Sequence, residues 1–256
     1  MPLVDAAKAH AFLTQALGLP VAWPYGDYGA FSSGGTVLGS INLEVIESRT
    51  TMRALCATRP ARIRGIAFDP DGAADSDLLD TMDRRSIAHS PPMPFPAWTN
   101  VLLPDIVDAG TLVFLCDYHR PEARDVAARH AALARTGGGL LGLVDAEEIV
   151  IGSPDPSSAA SRWQRILGPL DEDTGSWKFA KGPAIRIVEA SDDTVEHLVL
   201  NVASLELAAA HLKDLGAEIE VEDSSVNAQL RQLADLELVL RQSSMVEPAP
   251  FASASL

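Results

Sequence analysis

Cysteine is nearly absent from this chain: Cys56 and Cys116 are the only two in 256 residues. They form no CxxC pair, so the spacing offers no zinc ribbon and no redox dithiol, and the expectation is two reduced thiols without a disulfide framework. Positive charge is also short, with 20 basic against 35 acidic residues and a net charge of -15. That balance repels a phosphate backbone and an anionic bilayer surface, which argues against nucleic acid and membrane partners. No apolar run reaches the roughly 18 residues that suggest a membrane span, and the N-terminus lacks the basic and apolar regions of a secretory signal, so a cytoplasmic location is expected. There is no GxSxG elbow, and "TGGGLLG" is not followed by the GK[ST] and helix that phosphate binding requires.

What is present is ample apolar material, 47% of the residues, enough to bury a large core in one domain or two. It is arranged as a repeat. "VEHLVLNVASLELAAAHLKDLGAEIEV", Val195 to Val221, reads as an apolar strand, an amphipathic helix closed by Leu-Gly, and a further strand. "EIVIGSPDPSSAASRWQRILG" has the same order and is followed by the extended segments "SWKF" and "PAIRIVEA". "GIAFDPDGAADSDLLDTMDRR" repeats it ahead of "TNVLL" and "TLVFLCDY". "VDAAKAHAFLTQALG" is again such a helix, followed by "PVAWPY", "AFSSGGTVLG" and "INLEVIES", but only Met1 to Asp5 precede it, so the opening strand of this first unit is missing. The expected fold is α+β, four tandem βαβββ units. The alanine-rich helical stretch "HRPEARDVAARHAALARTGGG" links two halves, residues 1–137 and 138–256, of two units each.

Tandem units with "LG" after the helix and "LEV" or "LEL" in the last strand resemble the vicinal oxygen chelate superfamily, the glyoxalase, extradiol dioxygenase and bleomycin-resistance group. The likeness covers almost the whole chain and is carried by "ALGLPVAWPYGDYGAFSSGGTVLGSINLEVIES" and "FLCDYHRPE" in particular. It implies tandem glyoxalase-like domains whose paired units form two cupped mixed sheets with helices packed outside, with a divalent metal held by residues of the first and last strands. Carried onto this sequence, the first-strand positions are Gly65, Glu148 and His197, and the last-strand positions are Glu44, Arg186 and Glu237, with the second unit ambiguous within "LVFLCDY". Imidazole and carboxylate suit iron, manganese, nickel or zinc, whereas a guanidinium stays charged and cannot ligate.

Two readings of His197 stand side by side. In one, Glu44, His197 and Glu237 hold a single divalent metal, the first unit pairing with the fourth. In the other there is no metal: His197 is a half-buried strand residue bonded to a neighbouring acid, Glu237 pairs with Arg186 or Arg241, and Arg186 replaces the metal's charge. Trp23, Tyr25, Tyr28 and Phe31 cluster around the strands of the first unit, and "HSPPMPFPAWTN" brings Trp98 in a proline-rich run, so these aromatics are expected to bind an apolar ligand, Tyr25 and Trp98 bordering one cavity with Glu44. Glu44 and His119, the latter just past a strand end, are the candidate catalytic groups. The expected function is binding of, or action on, a small, partly apolar organic molecule without a complete metal site. The alternative is a metal-dependent lyase, isomerase or dioxygenase that chelates vicinal oxygens of its substrate. Besides that small molecule, a second copy of the chain, forming a homodimer, is the one partner left open.

Overall fold

The computed structural model describes residues 5–29, 31–48, 63, 65–70, 76–106, 111–120, 125–233 and 236–244. Cys56 and the residues ahead of Asp5 lie outside this set, while Cys116 is buried. The fold is mixed α+β, as the repeat pattern predicts. Helix α1 (Ala6–Ala11) runs through a π turn at Phe12–Ala16 into strands β1 (Val21–Asp27), β2 (Phe31–Val37) and β3 (Asn42–Ser48), which form an antiparallel sheet of their own. The second unit contains β4 (Gly65–Phe68), α2 (Ser76–Arg84), β5 (Met93–Pro94), β6 (Trp98–Leu102) and β7 (Leu112–Tyr118), in the sheet order β4-β7-β6-β5. Helix α3 (Val126–Arg135) connects to β8 (Leu143–Ser153), α4 (Pro156–Leu167), β9 (Ser176–Trp177) and β10 (Ala184–Glu189). The chain then continues through β11 (Thr194–Val202), α5 (Leu205–Asp214), β12 (Glu218–Val221), β13 (Ser225–Leu230) and β14 (Leu236–Gln242).

The last two units share one seven-stranded sheet, ordered β12-β13-β14-β11-β8-β10-β9, joined at its centre by the antiparallel pair of opening strands β8 and β11. In units two, three and four the opening strand lies parallel to the closing one: β4 to β7, β8 to β10, β11 to β14. A helical crossover is what makes that pairing reachable. The proline-rich run supplies only the two-residue edge strand β5, where a missing N–H does no harm.

Local chemistry sets the helix ends. Asp5, Asp125, Asp155 and Ser204 each accept a hydrogen bond from a backbone N–H three residues on, and Pro156 begins α4. The helix-covered faces then merge across the two halves. One core joins Leu13 and Leu17 of the first unit to Leu198, Leu212 and Leu240 of the fourth. The other joins Ile66, Met82 and Val113 of the second unit to Trp163, Trp177 and Ile185 of the third. A bridge between Ile63 and Val195 and a hydrogen bond from Ala146 N–H to the Leu38 carbonyl reinforce this union. The strand faces turned away from the helices are left to form cups.

Candidate functional site

The N-terminal cup is built from the open faces of the first two sheets. In β2, Gly34 lies under the ring of His10 on the helix side, and Gly35 lies under Trp23 on the other side. Alternation from Gly35, which pairs with Glu44, places Ser33, Phe31, Asn42 and Glu44 on Trp23's face. Trp23 Nε1 donates to Ser33 Oγ at 3.4 Å. In β7, Val113 and Leu115 enter the core, so Phe114, Cys116 and Tyr118 take the open face, beside Trp98 and Asn100 of β6.

The two open faces meet. Tyr28 stacks on Phe31 with ring centroids 5.5 Å apart and meets Trp98 edge-on at 6.0 Å, and Trp98 stacks on Phe95 at 5.2 Å, making one aromatic string from the first sheet to the second. Glu44 is open to solvent on one side, yet the surrounding walls strip enough water to raise its carboxyl above the usual range, an effect opposed by a hydrogen bond from Ser33. Burial likewise pushes the Tyr118 phenol far up, helped by its contact with Cys116 and by the negative field of Glu44 and Asp69. Arg129 of α3 donates to the Ser40 carbonyl at 2.8 Å; burial lowers its pKa against the fields of Asp69 and Tyr118. The amide oxygens of Asn42 and Asn100 are buried without a hydrogen-bond partner among the described residues. Together these groups form an apolar wall beside a carboxyl, a phenol and buried acceptors, a combination suited to orienting a small molecule and moving a proton on it.

Of the residues predicted from the sequence, Trp23, Tyr28, Phe31, Trp98 and Glu44 therefore gather at this cup. Tyr25 does not. The β1–β2 register slips between Trp23 and Gly26, at Pro24, and the extra residue turns Tyr25 to the helix side, 6.2 Å from the His10 ring and bonded to Glu47 at 3.4 Å. Tyr25 thus stands on the opposite face of the sheet from Trp23 and Glu44, and the expectation that it borders one cavity with Glu44 and Trp98 is not met. His119 is exposed, and its Nε2 meets Thr99 Oγ1 at 3.0 Å, on the other side of the sheet from Tyr118 and Trp98. Tyr118, its neighbour in the "DYHRPE" stretch, is the residue the sequence reading passed over. Its signal is the period-two series Phe114, Cys116, Tyr118.

The C-terminal cup carries the other candidates. His197 pairs with Glu237 across β11 and β14 and lies diagonally from Glu148 across β8, so the three share one face with Arg186. The residue opposite Glu148 on β10 is Ala184. Arg186 stands two places on and reaches back, its Nε and a terminal nitrogen both 2.9 Å from the Glu148 carboxylate. Arg241 pairs with Glu147 at 2.8 Å, so both arginines engage acids of β8. Burial lowers the pKa of His197, with Glu237 pulling the other way. Glu44 belongs to the other cup, so the ligand trio of Glu44, His197 and Glu237 is divided between two sites. Among the described residues no cluster of three or more His, Cys, Asp or Glu is placed to hold a metal ion. Among the described residues the donor set therefore does not fit a bound divalent metal ion.

No protein-family model matches the chain, and no curated protein is similar to it in sequence. Solved structures are similar in fold. A hypothetical protein from Staphylococcus aureus superimposes with a TM-score of 0.56 at 8% identity, over 91% of this chain and 92% of that one. A 2,3-dioxygenase from Pseudomonas sp. KL28 gives 0.56 at 10% identity over 96% and 93%. An extradiol ring-cleaving dioxygenase from B. fuscum gives 0.57 at 12% identity over 97% and 71%. The chain has a vicinal oxygen chelate fold. At these identities the likeness extends to the fold and not to the chemistry.

Proposed function

We propose that the protein binds a small, partly apolar organic molecule in the N-terminal cup and, through Glu44 and Tyr118, moves a proton on it without a three-ligand metal centre. The observation that carries this reading is the position of Glu44: a carboxyl of raised proton affinity on the same open concavity as the Tyr118 phenol, walled by Trp23, Phe31, Tyr28 and Trp98. A carboxyl of raised proton affinity can donate to a substrate oxygen when protonated or, once ionised, accept a proton from carbon; a fixed phenol beside it can hydrogen-bond the charge that develops. The buried oxygens of Asn42 and Asn100 favour a ligand that brings donors of its own. The metal-dependent alternative draws no support from the described donor set.

The test is a panel of small aromatic and aliphatic carbonyl and hydroxyl compounds, followed by tryptophan fluorescence and thermal midpoint. A binder that quenches the unaltered protein should bind at least about tenfold more weakly to Trp98→Ala. For a binder that is turned over, Glu44→Gln should lower kcat far more than it changes KM. Binding indifferent to both Trp98 and Glu44 sinks the reading.

A further inference from the structure

We propose that the Arg186 guanidinium is a built-in cation of the C-terminal cup, taking the place in charge that a divalent metal would take among Glu148, His197 and Glu237, and that its removal turns this face into a metal site. The inference concerns the other cup and stands or falls independently of the N-terminal reading.

Three side chains of ligating type share one strand face here: Glu237 directly beside His197, and Glu148 diagonal to it across β8 and β11. Such diagonal neighbours lie roughly 7–8 Å apart at the backbone, within reach of a shared ion for long side chains. They do not converge in this structure, and the cause is visible. Arg186 grips both oxygens of Glu148 at 2.9 Å and draws the carboxylate toward β10, the side away from β11. Glu148 is buried at 9% exposure, so its charge needs a fixed counter-charge, and the bidentate guanidinium supplies it. Arg241 of β14 holds the neighbouring Glu147 through a single hydrogen bond. A guanidinium neither deprotonates nor ligates, so a divalent cation entering beside it would meet repulsion in a partly dry site.

The experiment titrates Mn2+, Ni2+ and Zn2+ by calorimetry and thermal shift into the unaltered protein, His197→Ala, Arg186→Met, Arg186→Gln and the double variant Arg186→Met/His197→Ala. The unaltered protein should show no stoichiometric binding. Arg186→Met should take up one equivalent, at least about tenfold more tightly, and the double variant should lose it. Stoichiometric binding by the unaltered protein that His197→Ala abolishes overturns the proposal. So does a folded Arg186→Met that takes up no metal. Should both neutral variants fail to fold alone, recovery of their circular dichroism with added metal supports the proposal, because the ion then replaces the missing charge; failure with metal present overturns it.

Discussion

In the C-terminal cup the charged side chains engage one another, Arg186 with Glu148 and Arg241 with Glu147, and His197 is left half-buried beside Glu237. In the N-terminal cup the equivalent last-strand carboxylate, Glu44, pairs across the strands with Gly35, has a hydroxyl and a phenol as its polar neighbours among the described residues, and keeps an open side. One architecture thus yields a cup closed on itself and a cup with unfinished valences. The difference lies in few residues. A long cationic side chain two places along β10 satisfies one site, whereas in the second unit the positions matching His197 and Glu237 by strand register are Gly65 and Leu112, which can neither ligate nor pair.

The comparison can be broken most forcefully through the cores. Trp163 is 1% exposed at the junction of the second and third units, so Trp163→Ala should cost about 3–5 kcal/mol. Because that core belongs to both halves, denaturant unfolding followed by near-UV and far-UV dichroism should remain one coincident transition; two separated transitions would mean that each cup folds alone. Next in size, Arg186→Met should lower stability by about 1–3 kcal/mol, the partial exposure of the guanidinium keeping the effect below that of a fully buried pair. Trp98→Ala should change stability little, by about 1 kcal/mol or less from lost ring contacts, while weakening ligand binding strongly.

The smallest effects are those of pH, and the two cups should respond with opposite sign. His197 has its proton affinity lowered below the ordinary value of 6.5, so the unfolded chain binds that proton better, and stability present above pH 6.5 is lost as the pH falls through the folded value. Glu44 has its affinity raised above the ordinary 4.5, so the folded chain binds the proton better, and stability declines as the pH rises from about 4.5 through the folded value. His197→Gln should flatten the acid side of a stability-pH curve. Glu44→Gln should raise stability at pH 7 and make no difference below pH 4. With solvent screening both effects stay under about 1 kcal/mol, measurable as differences in urea midpoint.

Much of this organisation was legible in the chain because it rests on local rules. The Leu-Gly helix stops and the alternation of β3, β7 and β14 each announce an element and its buried face. Setting the apolar strand cores in register on the positions that the family resemblance implies brought Glu148, Arg186, His197 and Glu237 together on one face. Contacts between elements were harder to read. Pro24 advertises a break in β1, but not that the extra residue would be absorbed at Tyr25 and reverse its direction. Alignment paired Arg186 with the ligand position, yet the strand register puts Ala184 there, and only the length of the arginine restores the contact. The merging of the first unit's core with the fourth, and of the second with the third, leaves no trace in periodicity, because every unit presents the same apolar stripe and the choice between stripes is made in three dimensions.

The paired glycines of β2 set the thickness of the molecule at one point. A methyl group on Gly34 would come within 2.6 Å of the His10 ring, and one on Gly35 would run into the Trp23 ring, so here the strand is only as thick as its backbone. Two flat rings press on it from opposite sides, one belonging to the helix layer and one to the cup. Position 35 is therefore a gauge for the cavity: a single added carbon must lift the indole toward whatever occupies the cup, and a chain with this fold could trade one guest for a smaller one by changing a residue that never touches either.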